Sequence, residues 1–401
     1  MAAVGLGLFG AALVLSVGLC ALVRVVAPRV GFVDRPGGRK AHKRPTPLGG
    51  GVAIWATVVG ILGAGAMVAW LAPDGALPGL LRMHVGGLRL RLGELATLLG
   101  LATVLMLMGL ADDRRPLPWK PRLAVQLGMA AAVVVAFDYR ITLFLPPGPV
   151  NNAVSDVVTV LWIVALTNAF NFLDNMDGLA ASVGLIAAVL FAVAQAMVGG
   201  LFVPAVLLVL AGALGGFLVH NWAPARLFMG DAGSNFLGFL LGSLTVAGTF
   251  SRPYEGRSSA FAAFSPLLVL AVPLYDMTSV ILIRLSEGRS PFQPDRRHFS
   301  HRLVERGLTP PGAVATIDLV TLACGLGALI LPRADGLTAA LVVAQVVCLI
   351  GVVAVLESAG RRVPAPISPP PPSTESELAD AAAIEADGSI RPAAASPAHE
   401  G

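Results

Sequence analysis

Of 401 residues, 56% are hydrophobic and only 13% are charged, with a net charge of +4. A soluble globular domain carries about 25% charged residues to face water, so lipid must supply much of this chain's solvent. So small a net charge gives no case for nucleic acid as a partner, and three cysteines scattered through apolar runs (Cys20, Cys324, Cys348) make neither a disulfide framework nor a metal spacing.

A bilayer core about 30 Å thick takes roughly 20 apolar residues per helix. Such runs occur near 3–27, 48–71, 91–111, 121–138, 154–171, 178–198, 201–220, 234–251, 262–284, 312–331 and 337–357. The pattern predicts an all-α polytopic membrane protein with about eleven transmembrane helices. The first run is followed, not preceded, by its basic residues (Arg24, Arg29, Arg35), which favours a retained helix over a cleaved signal peptide. Lys and Arg divide unevenly, about 17 on the loops of one side against about 7 on the other, which puts the richer side in the cytoplasm and the N-terminus outside. Residues 1–362 read as one multi-span domain. From 363 to 401 the Pro, Ala, Ser and Glu content leaves too little apolar surface to offset ordering entropy, predicting a disordered cytoplasmic tail dispensable for chemistry.

Polar residues at membrane depth are costly and point to function. They collect in four places, all on the side that charge assigns to the cytoplasm. Asp112-Asp113 ends the third run, where a helix C-terminus disfavours negative charge; a nearby cation or phosphate chemistry explains the placement better than pairing with Arg114 and Arg115. Asn168, Asn171 and Asp174 recur at intervals of three, on one helix face, and lead into Asn175, Asp177 and Gly178. These are oxygen donors, of the kind that suits magnesium. Phe228-Met-Gly-Asp231-Ala-Gly-Ser234 opens the eighth run, where Asp231 and Ser234 can cap the helix and its N-terminus offers an anion site. The fourth cluster, Asp295-Arg-Arg-His298-Phe-Ser300-His301-Arg302, lies in a long basic loop suited to phosphate or a lipid head group. His42, His84 and His220 stand alone and receive no catalytic assignment.

In these motifs the chain resembles the polyprenyl-phosphate N-acetylhexosamine-1-phosphate transferases, glycosyltransferase family 4. The matching elements are Asp112-Asp113 with Leu117, the Asn-x-x-Asn-x-x-Asp-x-x-Asp-Gly-Leu run over 168–179, Gly230-Asp231-x-Gly-Ser234 and the histidine loop, covering roughly residues 30–310. The resemblance implies attack of a lipid phosphate (undecaprenyl or decaprenyl) on the β-phosphorus of a UDP-N-acetylhexosamine, with UMP released and magnesium required, manganese being an alternative. It implies metal-site roles for Asn171 and Asp231, an essential carboxylate pair at Asp112 and Asp113, and further polar-site roles for Asp174 and Asp177. Nucleotide contacts fall to Asn221 and Phe228. Lys43 belongs to a basic segment before Pro47-Leu-Gly-Gly, and His298, His301 and Arg302 to the histidine loop, with His301 as its final histidine. A homodimer is left open.

Two positions depart from the family pattern. Ser300 stands where the loop usually has its middle histidine, and Asn175 where Gly is usual. The His-Arg-Leu ending favours the N-acetylglucosamine branch over the muramoyl-pentapeptide branch, which remains the alternative. From another class, an ion-coupled transporter also suits many spans with buried carboxylates, although the carboxylates here cluster at one face and no inverted repeat is visible.

Overall fold

The computed structural model describes residues 2–34, 45–73, 79–141, 148–250, 260–292 and 297–358. Lys43 and the expected tail lie outside them. Helix α1 (Ala2–Arg29) is followed by a two-residue antiparallel ladder, β1 (Val33–Asp34) against β2 (Thr46–Pro47), with Val33 opposite Pro47. The chain then runs through α2 (Gly50–Leu71), α3 (Gly79–Arg89), α4 (Leu92–Arg114), α5 (Trp119–Phe137), α6 (Pro149–Leu173), α7 (Leu179–Met197), α8 (Phe202–Asn221) and α9 (Gly230–Thr245). It continues with α10 (Ser265–Val269), α11 (Ala271–Ser286), α12 (Phe299–Glu305), α13 (Pro310–Ala328) and α14 (Gly336–Ser358).

The protein is an all-α polytopic membrane protein. Among the described residues nine helices are long and apolar enough to cross a bilayer, and ten if the bent α10–α11 pair counts as one span. The shortfall from eleven is α9. It is only 16 residues long and passes into a π-helical turn, Val246–Phe250. Every residue from Ala232 to Thr245 is buried, its apolar side chains by packing and the polar Ser234, Asn235 and Thr245 with hydrogen-bond partners on neighbouring helices. It is the hub of the bundle, packed against α2, α4 and α6.

Three local features follow from sequence chemistry. Gly212 and Gly216 of α8 form a small-x-x-x-small face on which α1 rests. A Cβ at Gly212 would stand 2.3 Å from the Phe9 carbonyl and one at Gly216 2.5 Å from that of Leu13. Ser16 Oγ adds a hydrogen bond to the Ala213 carbonyl at 2.6 Å. The break between α10 and α11, a bend of 64° at Leu270, lies three residues before Pro273, whose ring excludes the Val269 carbonyl and which has no N–H to continue the helix. Helix α3 lies where no span was expected, and its Arg89 reaches back to the Ala69 carbonyl at the end of α2, at 2.6 Å.

Candidate active site

The helix ends that carry the polar motifs meet at one end of the bundle. Helix α4 runs one turn further than expected, so Asp112 and Asp113 lie in its last turn rather than beyond it. Their negative charges find partners within the protein. Asp112 accepts from the Leu117 N–H at 2.5 Å and is ion-paired to Arg122 in the first turns of α5. Asp113 caps α9 from a different helix: the N–H of Asp231 donates to its Oδ1 at 2.7 Å and that of Ala232 to its Oδ2 at 3.1 Å. The unfavourable position at one helix C-terminus is offset by a favourable one at another's N-terminus. Arg114 lies over the Phe32 ring instead of pairing with either carboxylate.

This corrects the expectation that Asp231 or Ser234 caps α9 and that its N-terminus lies open to an anion. Neither side chain caps the helix. Two of its first N–H groups already serve a protein carboxylate, since Asp231 and Ala232 both donate to Asp113. The fit admits no side chain at Gly109 or Gly230. A Cβ on the first would lie 2.2 Å from the Asp231 carbonyl, and on the second 2.6 Å from Asp113 Oδ2.

The Asp231 carboxyl is thereby left for side chains. Arg122 Nη1 stands 3.3 Å from its Oδ2, and Asn171 Nδ2 donates to its Oδ1 at 2.8 Å and to Ser234 Oγ at 3.0 Å. Of the three residues expected on one helix face, Asn168 and Asn171 lie on α6 and turn this way, while Asp174 falls just past the helix end. Deeper in the bundle Asn168 donates to Gln126 at 2.7 Å, Gln126 to Asn235 at 3.0 Å, and Asn235 to the Asp231 carbonyl at 2.7 Å. Buried amides satisfied in this way fix α5, α6 and α9 in one register. Beyond the end of α6, desolvation and then the charge of Asp113 push the Asp174 carboxyl up to about 7, against the opposing Gly230 N–H.

Asp177 and Asn221 hold main chain. Asp177 Oδ2 accepts from the Ala225 N–H at 2.9 Å. Asn221 accepts from Gly178 N and donates to the Leu227 carbonyl, both at 2.9 Å, so its amide is occupied at both ends. Phe228 is tied through its backbone to Pro47 and Gly50, each at 2.9 Å, which places it beside the segment following Lys43.

The histidine loop is short helix α12 and its approach. His298 is 7% exposed and pairs through Nδ1 with Asp276 Oδ2 at 3.0 Å. Asp276, fully buried on α11, also accepts from the Phe299 N–H at 2.6 Å. The His301 ring lies 6.4 Å from that of His298. Arg302, expected to meet substrate, instead pairs with Glu357 of α14 at 2.8 Å and donates to Ser279 Oγ at 2.8 Å, while Tyr275 donates to the same Glu357 oxygen at 3.0 Å. Arg122, Gln126, Asp276 and Glu357 were not singled out from sequence. Each is a polar residue within or at the edge of an apolar run, the signal that selected Asn168 and Asn171.

Among the described residues no three His, Cys, Asp or Glu side chains converge on a point as a metal cage. The groups around Asp231 are carboxylate and hydroxyl oxygens and one amide, together with the Arg122 guanidinium, with which a metal would share the carboxylates. Such a set fits magnesium, which usually takes one or two protein carboxylates and completes its shell with water and phosphate. Asn171 presents its NH₂ to Asp231, so its amide must turn over to serve as a ligand.

The glycosyl transferase family 4 profile matches residues 95–249, the segment from α4 to the π-helical turn after α9. A decaprenyl-phosphate N-acetylglucosaminephosphotransferase of Mycobacterium tuberculosis is 38% identical over 71% of this chain and 72% of its own length. A probable undecaprenyl-phosphate N-acetylglucosaminyl 1-phosphate transferase of Bacillus subtilis is 30% identical over 78% and 81%. A putative glycosyltransferase of Streptomyces coelicolor is 37% identical over 77% and 65%.

Proposed function

The chain belongs to glycosyl transferase family 4, and from that membership we propose that it transfers N-acetylglucosamine-1-phosphate from UDP-N-acetylglucosamine to a polyprenyl phosphate, releasing UMP, at the cytoplasmic face of a cell membrane. The observation that carries the reading is the junction of four helix ends at Asp231. There Asp112, Asp113, Asn171 and Arg122 are held by bonds between helices rather than within them. The names of the relatives supply the substrate class. The Lys and Arg asymmetry between loops supplies the side of the membrane.

In the proposed reaction an oxygen of the lipid phosphate bonds to the β-phosphorus of the UDP-sugar. The bond from that phosphorus to the bridging oxygen breaks, and the electron pair leaves on UMP. The attacking phosphate is already anionic near neutral pH, so the residues' main task is to position reactants and balance charge. Magnesium, held by Asp231 with Asp112 and a turned Asn171 in reach, would screen the repulsion between the two phosphates. Arg122, fixed between Asp112 and Asp231, places a permanent positive charge at the same point. Asp113 keeps the start of α9 in place with Asp174 close by, and His301 and Lys43 are the further groups offered to substrate.

The test is UMP release by purified protein given polyprenyl phosphate and a panel of UDP-sugars while magnesium is varied. The expected result is lipid-dependent UMP formation, fastest with UDP-N-acetylglucosamine and abolished by chelation. No UMP with any donor, or release that does not require the lipid, would overturn the reading.

A further inference from the structure

The two residues that break the family pattern touch each other. Ser300, 1% exposed, donates from Oγ to Asn175 Oδ1 at 2.5 Å, although 125 positions separate them. Asn175 in turn donates from Nδ2 to the Phe172 carbonyl at 2.7 Å, in the last turn of α6. Both ends of its amide are therefore assigned, and neither can rotate without losing a partner. The contacts close into a ring. The edge of Phe172 meets the His298 ring with centroids 5.7 Å apart, and His298 is two residues from Ser300 on the same segment. Arg284 covers Phe172, its guanidinium carbon 5.2 Å from the ring centroid.

Three features argue that this bond sets position. It joins two segments on which the reading above depends: the turn after α6 that bears Asp174 and Asp177, and α12 with His298 and His301. It acts beside the Phe172–His298 ring contact, which spans the same two segments. Finally, Ser and Asn together have as many side-chain heavy atoms as His and Gly, so the exchange conserves the packed volume, the kind of change cores tolerate best. It replaces an ionisable imidazole with a neutral hydrogen bond.

We propose that Asn175 and Ser300 form a positioning clamp that holds the histidine segment against the α6–α7 turn, so that in this chain the middle position of the histidine loop serves alignment and not substrate contact. The proposal rests on the transfer reaction only for its kinetic test. The experiment uses the full chain in detergent, with Ser300→Ala, Asn175→Ala, the double variant and Ser300→Thr. Deuterium uptake is followed over 174–179 and 297–306, and UMP release is measured across UDP-N-acetylglucosamine concentrations. Either Ala variant should raise uptake in both segments together and lower kcat by about ten-fold, since small misplacements are costly in rate, with KM little changed. The double variant should be no worse than the poorer single one. Ser300→Thr, which keeps the hydroxyl, should restore kcat. Uptake that changes in one segment alone, losses that multiply in the double variant, or a fall in Ser300→Thr equal to that in Ser300→Ala would overturn the clamp. If the parent protein releases no UMP, the reaction is refuted while deuterium uptake still decides the clamp.

Discussion

Both ends of the helix bundle carry an arginine between two aspartates, and they are built differently. At one end Arg140 meets Asp138 at 2.8 Å and Asp156 at 2.5 Å, with Asp138 78% exposed. The three residues lie within 18 positions of one another, and the group resembles an ordinary solvated cluster worth about 0–1 kcal/mol. At the other end Arg122 meets Asp112 and Asp231 from three helices, and the next carboxylate, Asp113, is fixed by two main-chain N–H groups. Ion pairs alone do not mark a site. What distinguishes the second end is that its charges are fixed by elements far apart in the chain, so their geometry survives only in the folded state.

That contrast can be broken most directly at Asp231. Its side chain does not cap α9, so Asp231→Asn should leave the fold intact while lowering kcat by about 10²–10³, the scale of losing a key electrostatic group. UMP release beside a thermal melt checks this, and near-normal turnover at the same magnesium requirement would remove Asp231 from the site. Asp113→Ala should act on both properties. It strips the cap from α9, a loss of about 1–2 kcal/mol, and releases the helix start that carries Asp231. A variant that melts normally yet is inactive would show that Asp113 acts on substrate rather than as a cap.

The histidine segment sharpens the comparison. His298→Ala leaves one oxygen of the fully buried Asp276 without its partner, and should cost about 1–3 kcal/mol of stability. His301→Ala should lower turnover with little change in melting. Equal melting of the two variants would mean that the Asp276 pair contributes nothing to the fold. The smallest effect belongs to the opposite end. Arg140→Ala should shift stability by no more than about 1 kcal/mol and leave UMP release unchanged; a marked loss of activity would refute the functional difference between the ends.

Which parts were legible in sequence depended on how local the signal was. Asp112, Asp113, Asn171, Asp174 and Asp231 stood out because a polar residue in an apolar run is locally anomalous. Arg122 and Gln126 carry the same anomaly on one face of α5, but the run around them is shorter and less apolar, so they contrast less with their neighbours. Asp276 was submerged in its own span. Arg302 was placed with phosphate because nothing near it in the chain announces Glu357, 55 positions on, as its partner.

The sequence by itself determined the all-α membrane class and the positions of most spans, because composition and run length respond to the solvent whatever the neighbours. Motif spacing likewise identified the residues that gather at one end of the bundle. Only the tertiary structure showed their partners in the fold: that Asp113 caps α9 from another helix, that α9 is a buried hub, that Asn221 and Arg302 meet protein groups, and that Ser300 and Asn175 are bonded. A carboxylate, an amide or a guanidinium offers the same donors and acceptors to a ligand as to a distant backbone or side chain. Which partner it takes is set by packing between helices, and that information is not local in the chain.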